Sequence, residues 1–341
     1  MLPTSSARSK PKPKGLFILN SRDYPRIYGE AEVREIQELV ELYAPPQTKE
    51  TVSADPSILK DAEVILSGWG CPTFDEHLLD AAPALKVILY GAGSIKYIVT
   101  EAFWKRNIQI STAYVANDIP VAEFTLAQIL LGLKGYWHYV YSFKKDGTWY
   151  EHLTTAGIYG STVGLISLGM IGRMVAEKLK NYQVKVLAYD PYVKPEAARQ
   201  LGVELCPLET IFAESDVVSL HTPWLPETEG MIKGVHFTAM KPSSTFINTA
   251  RGAVVNEAEM IEVLCKRPDV FALLDVTYPE PPVADSPLQT LPNVVITPHI
   301  AGANTNECKR NGQYVIAELK RYLNGEALLF AVTEQQAKIM A

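Results

Sequence analysis

The chain has 341 residues, of which 47% are hydrophobic and 21% charged, enough for about two globular domains at ~150 residues each. A net charge of −6 gives no electrostatic reason to expect nucleic acid or an anionic membrane surface, and no apolar run approaches the ~18 residues of a membrane span. The four cysteines, Cys71, Cys206, Cys265 and Cys308, contain no Cys-x-x-Cys pair. They fit a reducing, cytoplasmic setting rather than a disulfide framework, and no metal site is expected.

Residues 1–14 are polar, with three prolines and the basic Arg8, Lys10, Lys12 and Lys14. They read as a disordered, solvated tail. A strand is expected over residues 15–19 and a helix through Val33, Ile36, Leu39, Val40 and Tyr43. A strand over Val64–Ser67, a helix near 75–82, a strand over 86–90, a helix over 97–105 and a strand over 109–113 follow. Such alternation predicts an open parallel sheet with helices on both faces. Residues 119–146 read as one long helix or two in series, with Pro120 suited to the first turn. Their apolar density (Val121, Phe124, Leu126, Leu130, Trp137, Val140) suggests a helix that crosses between domains or packs on a second subunit, and a homodimer is the expectation.

The organising stretch is TVGLISLGMIG, residues 162–172. An apolar run enters a Ser-x-Gly-x-x-Gly turn, and a helical pattern leaves it. This is the phosphate-binding end of a dinucleotide fold: Gly169 admits a pyrophosphate, Gly172 allows close helix–strand packing, and the helix N-terminus offers free N–H groups. Ser167 stands where the usual motif has its first glycine, in a tight turn that needs a small residue. The next strand ends in Asp190, 18 residues after Gly172, where a carboxylate would accept from an adenosine ribose. The same turn serves methyltransferases, so it does not by itself choose the cofactor. Further βα alternation runs to a last strand near 293–298 and a closing helix over 304–323. Two doubly wound α/β domains result.

Three clusters lie at predicted strand ends, where open α/β sheets bind ligands. They are NTARG (248–252), LDVTYPEPP (274–282) and TPHIAG (297–302). Each alone has a plainer reading: a turn with a solvated cation, a surface glutamate, a structural histidine. Together they offer one cation, one carboxylate and one imidazole beside a dinucleotide turn. Reduction of a 2-keto acid needs those groups. Arginine holds the substrate carboxylate and polarises the ketone, histidine donates the proton, and a carboxylate orients the ring and favours imidazolium.

These motifs, with SLHTP (219–223) and FINTARG (246–252), make the sequence resemble the D-isomer-specific 2-hydroxyacid dehydrogenases from about Val64 to Gly302. The resemblance implies NAD as cofactor and Arg251, Glu280 and His299 as catalytic residues. It implies cofactor contacts from Ser167, Gly169, Met170, Ile171, Gly172, Asp190, Thr222, Thr249, Ala250, Arg251, Asp275, His299 and Gly302. Backbone N–H groups of Ala92 and Gly93 would hold the substrate carboxylate with Arg251 and His299. It also implies a flavodoxin-like substrate domain from residues 15–118 and 303–341 and a Rossmann NAD domain from 119–302. The loop after Gly93, Ser94-Ile-Lys-Tyr97, departs from the family pattern and leaves the substrate open. Two relatives of the same fold remain as alternatives: an NADH-sensing corepressor scaffold, which keeps the triad, and a phosphite-type dehydrogenase. Formate dehydrogenases lack a carboxylate at the position of Glu280.

Overall fold

The computed structural model describes residues 11–147, 149 and 155–340. The first ten residues of the expected tail lie outside them. Packing divides the chain into two compact units. One runs up to Asn117 and resumes over Asn304–Met340, and the other is Asp118–Ala303.

The first unit is built on five parallel strands: β1 (Lys14–Ile18), β2 (Glu41–Leu42), β3 (Val64–Ser67), β4 (Val87–Tyr90) and β5 (Gln109–Thr112). Their order is β2-β1-β3-β4-β5, the flavodoxin-like doubly wound arrangement. β3 and β4 are buried along their whole length, which is why they read as continuous apolar runs rather than alternating ones. The helix Asn306–Asn324 returns to this unit from the far end of the chain. There the Asn311 side-chain amide donates to the Gly91 carbonyl at 3.2 Å. A Cβ at Gly312 would stand 2.2 Å from the Ile27 carbonyl oxygen, so only glycine permits that approach.

The second unit holds seven parallel strands: β6 (Thr162–Ile166), β7 (Lys185–Tyr189), β8 (Glu204–Leu205), β9 (Val217–Leu220), β10 (Thr245–Asn248), β11 (Phe271–Leu274) and β12 (Val294–Ile296). The order β8-β7-β6-β9-β10-β11-β12 is the Rossmann order with one strand added. Its two faces carry separate cores. Ile211, Phe212, Phe237 and Leu264 cover one. Ala122, Ile129, Leu133, Val175 and Leu179 cover the other.

Several expectations are corrected. Lys14 is in β1 rather than in the tail, with its Nζ on Asp61 at 3.1 Å. The helix expected over 97–105 is confined to Glu101–Lys105. Ile95 and Ile98 are fully buried, but in a turn, so their apolar spacing reflects burial and not helix. Of the two readings of 119–146 the second holds, two helices in series, Tyr114–Leu133 and Tyr136–Asp146, separated by Gly135 at φ +61°. The first begins five residues earlier than expected and carries Pro120 in its interior. Much of its apolar surface is used within the second unit, whose core takes in Ala122, Ile129 and Leu133. The large exposed aromatics sit on the second helix, at Tyr136, Tyr141 and Phe143.

Candidate active site

β6 delivers the chain into the glycine turn, and the helix Met170–Leu179 leaves it. Gly169 is the N-cap, with no side-chain cap and no acid in the first helical turn. The first N–H groups of this helix are therefore available to an anion, with the helix dipole behind them. A Cβ at Gly169 would meet nothing nearer than the Ser167 Oγ at 3.9 Å, so no internal packing demands this glycine. The open space in front of the helix end fits a bound pyrophosphate. Gly172 differs: a Cβ there would lie 2.2 Å from the Ser167 carbonyl oxygen, so the helix presses directly on the turn. Ser167 itself adopts φ +79°, a left-handed conformation that favours glycine. Small size is thus not the whole requirement at that position.

Asp190, just past β7, closes the turn from below. Its Oδ2 accepts from the Leu168 N–H at 2.7 Å, and its Oδ1 accepts from the N–H groups of Tyr192 and Val193. The carboxylate is thereby fixed against the glycine turn, with Oδ1 filled and about one acceptor site left on Oδ2 for a ribose hydroxyl. Met170 is exposed and Ile171 half-buried at the same edge. Thr222 is buried behind them, its hydroxyl 3.5 Å from the Ile166 carbonyl. Beside it, His221 Nε2 pairs with the Ser219 hydroxyl at 3.0 Å, while Nδ1 is enclosed and unbonded among the described residues. Desolvation lowers this imidazole to about 4, so it is neutral near pH 7.

β10 ends in Asn248, whose side chain organises the turn that follows. Its Oδ1 accepts from the Ala250 N–H and its Nδ2 donates to the Arg251 carbonyl. The Arg251 guanidinium donates to the Ala250 carbonyl at 2.6 Å. Burial lowers its pKa, against the opposing pull of Glu280 and Asp118. Gly252 allows this turn to sit on the loop carrying Glu280, since a Cβ would fall 2.1 Å from the Thr277 carbonyl carbon. The Glu257 carboxylate accepts from the Tyr278 N–H at 3.0 Å and fastens the same loop.

Asp275 directly follows β11 and is 3% exposed. Its carboxylate accepts from the Thr297 hydroxyl and from the N–H groups of Ile300 and Ala301. The His299 N–H donates to the Asp275 carbonyl at 3.0 Å. Asp275 therefore sets the path of the segment from Thr297 to Gly302. His299 stands in that segment at φ +51°, a backbone conformation that persists only where neighbours impose it. Its Nδ1 lies 2.6 Å from Glu280 Oε1, which leaves Nε2 directed elsewhere. Arg251, Glu280 and His299 thus gather in one unit with the glycine turn. Ala92 and Gly93 belong to the other unit. There the Thr112 hydroxyl lies 2.6 Å from each of their carbonyls, and their N–H groups are unspent among the described residues.

Two contributors escaped the sequence reading. Thr125, on the long helix, shares a buried hydroxyl–hydroxyl hydrogen bond of 2.9 Å with Thr249. Asp118 lies two turns earlier on that helix. Burial raises its carboxyl to about 7, opposed by Arg251. A signal existed in the sequence, since Asp118 is the lone charged residue between Ala113 and Ala122.

The family profile described as "D-isomer specific 2-hydroxyacid dehydrogenase, NAD binding domain" matches residues 127–301. The chain belongs to the D-isomer specific 2-hydroxyacid dehydrogenase family. It carries that family's NAD-binding domain. The D-3-phosphoglycerate dehydrogenase of Archaeoglobus fulgidus is 39% identical over 246 residues, covering 72% of this chain and 46% of that protein. The glyoxylate reductase of Korarchaeum cryptofilum is 31% identical over 330 residues, 92% of this chain and 98% of that protein. The chain spans about half the length of the phosphoglycerate dehydrogenases it matches. Among solved structures, the NAD-complexed D-isomer specific 2-hydroxyacid dehydrogenase from Lactobacillus delbrueckii ssp. bulgaricus superposes with a TM-score of 0.78 at 25% identity, covering 94% of this chain and all of that one. No helix among the described residues is long and apolar enough to cross a membrane, and none of their side chains cluster as metal ligands.

Proposed function

We propose that the protein interconverts a small D-2-hydroxy acid and its 2-keto acid with NAD(H). The observation that carries this reading is the His299 Nδ1–Glu280 Oε1 contact of 2.6 Å beside Arg251. With Nδ1 tied to a carboxylate, Nε2 is the atom that hands a proton to the keto oxygen, or takes it back in oxidation. Arg251 holds the substrate carboxylate and, with its planar fork, orients the carbonyl towards His299. Glu280 fixes the ring orientation and tautomer, and Asp275 holds the backbone on which the ring stands. Bound nicotinamide supplies or accepts the hydride.

On this reading the unit containing the glycine turn binds NAD through Gly169, Met170, Ile171 and the flanking Thr222, Thr249, Ala250 and Gly302. Asp190 accepts from the adenosine ribose and repels a 2′-phosphate, so NADH is preferred over NADPH. The Ala92 and Gly93 N–H groups are assigned to the substrate carboxylate. A cytoplasmic homodimer, with the exposed aromatics of Tyr136–Asp146 at its interface, completes the reading. The test is a panel of glyoxylate, hydroxypyruvate, pyruvate and 3-phosphohydroxypyruvate with NADH and with NADPH, followed by nicotinamide absorbance. Reduction of at least one with NADH preferred is expected. No turnover of any, or a preference for NADPH, overturns the activity or the role of Asp190 respectively.

A further inference from the structure

We propose that Asp118 is a positioning and tuning residue for Arg251, one that sets how tightly the guanidinium holds an anionic substrate as pH changes. The inference rests on the reading that Arg251 binds the substrate carboxylate.

The geometry follows from a helix register. Residues seven apart lie on nearly the same face of an α-helix and ~10 Å apart along it. Asp118, Thr125 and Gly132 form such a row on the helix Tyr114–Leu133. At one end, a Cβ on Gly132 would lie 3.2 Å from the Thr245 side chain, at the start of β10. In the middle, Thr125 bonds Thr249, just past the end of β10. The helix therefore runs antiparallel to β10, and the third member of the row falls beside the turn that carries Arg251. Among the described residues the Asp118 carboxylate accepts no hydrogen bond, and Arg251 is the charged group that acts on it. Arg251 is thus flanked by two carboxylates, Glu280 and Asp118, of which only Glu280 has a hydrogen-bonded partner in His299.

Charge counting gives the consequence. With Glu280 and His299 paired, an ionised Asp118 already balances Arg251. A substrate carboxylate would then bring a surplus negative charge into a partly desolvated site, where like charges cost more than in water. A protonated Asp118 leaves the guanidinium to the substrate. Substrate binding should therefore be coupled to proton uptake at Asp118, and the ionised form should bind poorly.

The test compares wild type with Asp118→Asn, and with Asp118→Ser as a second small polar replacement. Steady-state reduction of the best keto acid from the panel is measured from pH 6 to 9, and oxamate binding to the NADH complex is measured by calorimetry in buffers of different ionisation enthalpy. In wild type, KM should rise towards ~10-fold per pH unit above about pH 7, and oxamate should take up close to one proton near pH 8. In both variants the rise in KM and the proton uptake attributable to this group should vanish, with a smaller effect on kcat. A purely structural residue would not shift a KM–pH profile in this way. If the keto acid is turned over but KM profiles and proton uptake are the same in wild type and variants, the role of Asp118 is refuted and the activity stands. If no keto acid is reduced and oxamate does not bind, the activity itself fails and the inference falls with it.

Discussion

The two glycines of the phosphate turn separate packing from ligand space, and alanine distinguishes them. In Gly172→Ala the new methyl would begin 2.2 Å from the Ser167 carbonyl oxygen. An ordinary contact needs about 3.4 Å, so the helix Met170–Leu179 must withdraw by ~1.2 Å or the turn must give way, at a cost of ~1–3 kcal/mol or more. For a unit of this size that lowers Tm by ~2–4 °C per kcal/mol. Gly169→Ala meets no such obstacle: its φ of −65° suits any residue, and its nearest neighbour would be 3.9 Å away. The expected penalty without cofactor is ~0.5–1 kcal/mol, from losing a favoured N-cap residue. Its methyl projects where the pyrophosphate belongs, so NADH affinity should fall by ~10- to 100-fold, the equivalent of ~1.4–2.8 kcal/mol. Thermal denaturation of the cofactor-free protein and NADH titration by fluorescence measure the two quantities. Equal loss of stability in both variants, or undiminished NADH binding in Gly169→Ala, would refute the assignment of the turn.

Three further substitutions probe the site. Ser167→Gly should stabilise the protein by ~0.5–1 kcal/mol in denaturant unfolding, because relief at φ +79° outweighs the flexibility gained by the unfolded chain. Glu280→Gln keeps the shape but frees the His299 tautomer, and kcat for keto-acid reduction should drop by ~10²-fold or more, with KM for NADH little changed. His221 is held near pKa 4 in the fold, below the ~6.5 of the unfolded chain. The unfolded state thus gains protons first, and stability is lost as pH falls from about 6.5 towards 4, by ~1–3 kcal/mol. In His221→Gln that part of the acid sensitivity, followed by Tm against pH, should disappear.

The parallel strands were legible in the sequence because burial on both faces writes them as short apolar runs, as at Val64–Ser67 and Val217–Leu220. The glycine turn was legible because backbone geometry and phosphate chemistry restrict the residue types there. Helix ends were less so. Pro120 sits inside a helix although its missing N–H favours a first turn, because tertiary packing outweighs that preference. Arg251, Glu280 and His299 are recognisable as residue types at strand ends, but the 2.6 Å pairing of His299 with Glu280 depends on how two loops approach. Asp118 was visible as a lone charge in an apolar stretch, but its partner was not, because a helix face set against β10 brings it beside the turn of Arg251. Neither a motif nor a local pattern expresses that contact.

The arrangement of the units has a consequence for how the chain acquires its shape during synthesis. The ribosome releases β1 to β5 before the second unit, yet the helix Asn306–Asn324 that covers Gly91 and Ile27 emerges only after it. About 190 residues separate them, or roughly 10–40 s of elongation at ~5–20 residues per second. Over that interval the first sheet waits with an apolar flank uncovered, while the entire second unit emerges as an insert that can complete its own core. The early unit of the protein is therefore the late one to fold. Destabilising changes at the Gly312 contact should act on yield during expression more than on the finished insert.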